Sequence, residues 1–191
     1  MLSPYVNGNK HVILCNQENF ILKGNSYKIR KALPGSLTIV KPALKNSHDK
    51  GRPKGGMFIA IPDSLKNYVK DVSPVFWRTQ AIVININRFK TLVINSYFPT
   101  DPRTVAFDDS ELLETLHSIN LVIEQNEFEK ILWLGDINTD FIRRTGHVNC
   151  VRNFVEEKQL RKAWDSYRVD FRLSRHCYGY THIHSGPYTL E

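Results

Sequence analysis

The chain has 191 residues, 41% of them hydrophobic, enough to bury a substantial core in one globular domain. Its 26 Lys and Arg outweigh 19 Asp and Glu, giving a net charge of +7 and favouring polyanionic partners. No apolar run approaches about 18 residues and no basic-then-apolar leader is visible, so neither a membrane-spanning helix nor a signal peptide is expected.

Residues 11–15, H-V-I-L-C, read as a short buried strand, with Glu18 just past its end. Residues 23–34 are basic and irregular, and residues 36–40 suit another strand. The next stretch mixes Lys41, Lys45, Lys50, Arg52 and Lys54 with Asn, Ser, Pro and Gly, the composition of a surface loop. Such a loop suits contact with phosphates, although plain solvation explains the same charges. A strand entered through glycines follows at 55–61, closed by Pro62 and Asp63. Ile82, Ile84 and Ile86 then alternate, residues 87–90 make a polar turn and residues 91–97 return. That pattern predicts an antiparallel hairpin. It ends at Tyr97 and Phe98, where Pro99 and Pro102 stop the pairing.

The clearest helix is expected over residues 108–126, where Leu112, Leu116, Ile119 and Ile123 form one apolar stripe. Asp108 and Glu111 suit its N-terminus. It leads into residues 130–140, K-I-L-W-L-G-D-I-N-T-D. The apolar run there predicts a strand buried on both faces, and Asp136, Asn138 and Asp140 follow where it leaves its sheet. A carboxylate so held suits a hard cation or an oriented water; a turn rich in Asx residues is the plainer account. A second amphipathic helix is expected over 148–160, through Val151, Phe154, Val155 and Leu160. The three cysteines, Cys15, Cys150 and Cys177, lack metal-ligand spacing and are odd in number, which favours reduced intracellular thiols.

Three strand ends thus carry Glu18, Tyr97 and Asp136. The run Gly135-Asp136-Ile137-Asn138 resembles the G-D-x-N motif of the endonuclease/exonuclease/phosphatase superfamily, and Gln17-Glu18 looks like its metal-binding Q-E segment. Residues 51–56, G-R-P-K-G-G, and residues 96–102, S-Y-F-P-T-D-P, are similar to the versions in endonuclease domains of LINE-type retrotransposons. Trp164-Asp165 and Tyr180-Thr181-His182 fall where that subgroup has its later segments. The resemblance implies a single α/β (α+β) domain over residues 1–191. Its architecture would be a four-layer sandwich of two mostly antiparallel β-sheets flanked by helices.

It also implies hydrolysis of phosphodiesters with Mg²⁺ or Mn²⁺. Glu18 resembles the carboxylate that holds the metal, and Asp136 the residue that positions or activates the attacking water. Asn138 looks like its partner near the scissile phosphate, and Tyr97 like the tyrosine that contacts the phosphate. DNA is the expected partner, met by Lys50, Arg52 and Lys54, and no obligate protein partner is evident. Action on chromosomal DNA would place the chain in the nucleus.

Two departures bear on activity. The family opens with a strand carrying a functional Asn well upstream of its Q-E segment, whereas the first strand here starts near residue 11, so Asn7 is a poor stand-in. The family closes with S-x-[IL]-D and a catalytic His; here Tyr188, Thr189, Leu190 and Glu191 match those positions and no His follows. His182 and His184 lie upstream of that place and read as surface histidines. The expectation is therefore a copy truncated at both ends. It is either a DNA-nicking enzyme of retrotransposon type or a catalytically dead remnant that binds nucleic acid. A phosphatase for lipid or inositol phosphates shares the scaffold but has no supporting motif.

Overall fold

Short β-branched runs build two sheets in the computed structural model, which describes residues 12–45, 51–100, 109–139, 146–162 and 183–185. Strands β1 (Leu14–Asn16), β2 (Ser36–Lys41) and β3 (Met57–Pro62) form a small antiparallel sheet in the order β1-β3-β2. Strands β4 (Val69–Asp71), β5 (Thr79–Ile86), β6 (Phe89–Tyr97), β7 (Lys130–Asp136), β8 (Leu160–Lys162) and β9 (Ile183–Ser185) form the larger one. Its order is β4-β5-β6-β7-β9-β8. Three helices accompany them among the described residues: α1 (Tyr27–Ala32), α2 (Ser110–Gln125) and α3 (Gly146–Glu157).

The expected hairpin is β5–β6, with Ile82 opposite Val93 and Ile84 opposite Thr91. Its two-residue turn, Asn87-Arg88, has φ of 53° and 68°, the left-handed pair that matches the twist of the flanking strands. From β6 the chain crosses over through α2 and returns as β7, parallel to β6. That crossover sets Tyr97 directly beside Asp136 in the register.

Burial sorts the elements into four layers. Ile29 of helix α1 and Leu33 just after it pack on Phe58 and Ala60 of the small sheet. The opposite face, Ile59 and Ile61, meets Ile82 and Val93 of the large sheet, with Leu132 and Leu134 at the margin. Beyond that lie Ala81, Leu92, Ile94 and Trp133 under Leu112, Leu116, Ile119, Val151 and Phe154 of the two long helices. Each fully buried Leu or Ile among them contributes about 2 kcal/mol. This is the expected α/β sandwich of two sheets flanked by helices.

Three expectations need correction. Residues 23–34 are not irregular: a 3-10 turn, Lys23–Asn25, precedes α1. The second amphipathic helix ends at Glu157, and Leu160, given to it by its apolar spacing, opens β8 instead. Strand β7 buries Ile131, Trp133 and Gly135 on the helix side and leaves Leu132, Leu134 and Asp136 half-buried, so its two faces differ. No helix among the described residues is long and apolar enough to cross a membrane.

Candidate active site

The segment after β1 is held from both sides. The Asn19 N–H donates to Gly56 O at 3.1 Å and the Phe20 N–H to Gly55 O at 3.0 Å. The Gln17 amide donates to Asn95 Oδ1, and Asn95 Nδ2 returns a bond to Asn16 O at 3.2 Å. Asn95 itself is fully buried in β6, so the Q-E segment is anchored to the large sheet. Glu18 and Phe20 both take positive φ, 51° and 56°, which turns the Glu18 carboxylate outward to solvent. Gly56 has φ of +87°, and a Cβ there would lie 2.5 Å from Asn19 Oδ1, so a glycine is required for this approach.

Tyr97 ends β6 with its phenol donating to Glu18 Oε1 at 2.7 Å. Beside it, the Phe98 N–H donates to Asp136 O at 2.8 Å, extending the β6–β7 pairing by one bond. The Asp136 carboxylate accepts the Asn138 N–H at 3.1 Å, and Asn138 Nδ2 donates to Phe98 O at 2.9 Å. The turn is also tied from below. Thr139 Oγ1 donates to Ile137 O at 2.7 Å and lies 2.9 Å from Nε2 of the buried His147 in α3. Glu18, Tyr97, Asp136 and Asn138 therefore share one rim.

Electrostatics couple the group. Burial, then the bond to and charge of Glu18, push the Tyr97 phenol up to about 12, against a smaller opposing effect of Arg78. The Asp136 carboxyl is raised by burial and by the Glu18 charge, while the Asn138 N–H pulls it down. Two carboxylates that repel each other are a natural pair of hard oxygen donors for a divalent cation. Two residues before Glu18, the buried Asn16 Oδ1 has no hydrogen-bond partner, a further oxygen suited to such an ion. Among the described residues there is no group of three or more His, Cys, Asp or Glu that could hold a metal, so the fit rests on mixed donors.

The basic residues separate. Arg52 is exposed and lies over the Phe20 ring, 3.4 Å from its centre, next to the Q-E segment. Lys54 is exposed, its backbone paired with Leu44. Lys50 and Asp140 lie outside the described residues, as do Asn7, His182 and positions 188–191. Lys41, read as part of the phosphate-facing loop, is turned inward. It ends β2 and donates to the carbonyls of Phe76 at 2.6 Å and Thr79 at 2.5 Å, and to that of Pro74. Its ammonium is thus engaged by the carbonyls of the loop before β5 instead of standing in the open loop.

Two residues of the rim escaped sequence reasoning. Asn95 is a lone amide inside the apolar strand L-V-I-N-S-Y, and that misfit was its only signal. Arg78, only 7% exposed, pairs with Glu111 at 2.6 Å, donates to Tyr97 O at 3.3 Å and stacks 5.0 Å from the centre of the Tyr97 ring. Nothing in a single Arg before a strand distinguishes it.

Solved structures share this arrangement of layers. An AP endonuclease from Leishmania major superposes with a TM-score of 0.62 at 12% identity, covering 97% of this chain and 73% of that one. An AP endonuclease from Archaeoglobus fulgidus gives 0.59 at 15% identity, over 95% and 79%. The 3′ phosphatase NExo from Neisseria, bound to product DNA hairpin, gives 0.60 at 15%, over 92% and 76%. At such identities the likeness is one of fold alone. No family model matches the chain, and no curated protein matches it by sequence.

Proposed function

We propose that the chain hydrolyses phosphodiesters in DNA with Mg²⁺ or Mn²⁺, as a nicking endonuclease of the retrotransposon type. The observation that carries this reading is the meeting of Glu18, Tyr97, Asp136 and Asn138, from three separate strand ends, at one rim. DNA as substrate is supported by the net charge of +7, by exposed Arg52 and Lys54, and by the DNA-processing neighbours of like fold. The wording of residues 51–56 and 96–102 supports the retrotransposon type.

In this reading Glu18, Asp136 and Asn16 would supply oxygens to hold the cation, and a cation so held would supply positive charge against that building on the attacked phosphate. Asp136, oriented by the Asn138 N–H, takes a proton from the attacking water. Asn138 is steered by Phe98 O and keeps its second amide hydrogen for a phosphate oxygen. Tyr97, whose phenol burial and Glu18 push up to about 12, acts as a hydrogen-bond donor.

A second reading is a protein that binds nucleic acid through its basic surface, where Arg52 and Lys54 are exposed, without cutting it. Cleavage of a labelled DNA duplex, with binding measured in parallel in chelator, separates the two. Asp136→Ala is expected to lower metal-dependent cleavage by about a thousandfold or more and to leave binding nearly unchanged. Cleavage untouched by that change would refute the site. Binding without cleavage by the wild type in either metal would leave the second reading standing.

A further inference from the structure

A row of rings and guanidinium groups adjoins the rim, and of its members only Tyr97, at its end, takes part in the hydrolytic chemistry. Arg52, exposed, has its guanidinium carbon 3.4 Å from the ring centre of Phe20, two residues from Glu18. The Phe20 N–H bonds to Gly55 O, and the Trp77 ring packs on Gly55 so closely that a Cβ there would fall 2.4 Å from it. Arg78 then stands 4.0 Å from the centre of Trp77 and 5.0 Å from that of Tyr97. The row thus runs from Arg52 through Phe20, Trp77 and Arg78 to Tyr97, and ends on the candidate phosphate site.

Its outer edge is apolar and rigidly held. Phe76 lies beside Trp77, centroids 6.3 Å apart, and Val75 before it is wholly exposed. The same loop is pinned from inside by Lys41, through the carbonyls of Pro74, Phe76 and Thr79. Burying an ammonium is costly unless its donors are satisfied. Here that arrangement holds an apolar tip out in water.

Contact with the phosphates of a closed duplex calls for cations and gives no role to flat or apolar groups. The exposed Arg52 over Phe20 and the half-buried Trp77 and Tyr97, held by the buried Arg78 between them and set beside an apolar tip, are a surface for stacking bases that have lost their partners. We propose that the row from Arg52 to Tyr97, with Val75 at its edge, binds unpaired nucleotides next to the phosphate to be cut. The inference rests on the nucleic-acid reading above and narrows its substrate to single strands or locally opened duplex.

The test is fluorescence anisotropy in chelator with two probes, a labelled oligothymidine strand and a closed duplex of equal length. Wild type is compared with Arg52→Lys and Val75→Ser, both surface changes. Arg52→Lys keeps the charge and removes the plane. Each variant is expected to lose about five- to tenfold on the single strand and little on the duplex. Equal losses on both probes, or none on either, would overturn the stacking surface while leaving DNA binding in place. A wild type that binds neither probe would instead remove the nucleic-acid reading, and this inference with it.

Discussion

Asp136 is held in a form that the fold does not favour. Its carboxyl is raised by burial and by Glu18, so in the folded chain it resists ionisation. The sign follows: above its folded pKa the ionised group costs stability, and that cost vanishes as the pH falls through the carboxylate range. Asp136→Asn keeps an oxygen for the Asn138 N–H and carries no charge. In chelator near neutral pH it is expected to raise the melting temperature by about 2 °C or more, with the gain disappearing in acid. A lower melting temperature at neutral pH would show that Asp136 is not strained. Tyr97→Phe removes the bond to Glu18 and is expected to lower the cleavage rate by about ten- to a hundredfold. An unchanged rate would remove Tyr97 from the site.

The elements that deliver these groups depend on a few backbone approaches. Gly135, at φ of +144°, brings β7 so near β6 that a Cβ would lie 1.9 Å from Ser96 O. Gly135→Ala is expected to cost about 3 kcal/mol in a denaturant titration, and a cost under about 1 kcal/mol would show that the strands have room. Thr139→Val keeps the shape but removes the hydroxyl that joins Ile137 O to His147. The expected outcome is a lower kcat with KM held, because the loop carrying Asn138 loosens while the substrate surface stays. A fall in affinity alone would place Thr139 elsewhere in the account. Much of this level was legible. Alternating Ile82, Ile84 and Ile86 give the hairpin, and the Leu112 to Ile119 stripe gives α2, since each is a local period. Helix α1 was not, because Tyr27 to Ala32 offers only Ile29 as a buried anchor. Lys41 was not, because a charge run looks alike whether its lysines face water or carbonyls.

Across the whole molecule the site is a product of how two sheets meet. The bonds that join Gln17 and Asn16 to Asn95 lock the loop after β1 onto the large sheet, while those from Asn19 and Phe20 to Gly56 and Gly55 tie it to the start of β3 in its own sheet. Motif order in the chain named Glu18, Tyr97, Asp136 and Asn138, but their meeting depends on the parallel β6–β7 pairing, made by contacts distant in sequence. No local pattern encodes such a pairing, so Arg78 and Asn95, which matter only through it, stayed hidden. The measurement that bears most directly on the central claim is nicking of supercoiled plasmid in Mg²⁺, in Mn²⁺ and in chelator, with Glu18→Ala and Asp136→Ala alongside. The account predicts nicking that requires the metal and is lost in both variants. Nicking that persists in chelator, or in either variant, would contradict it.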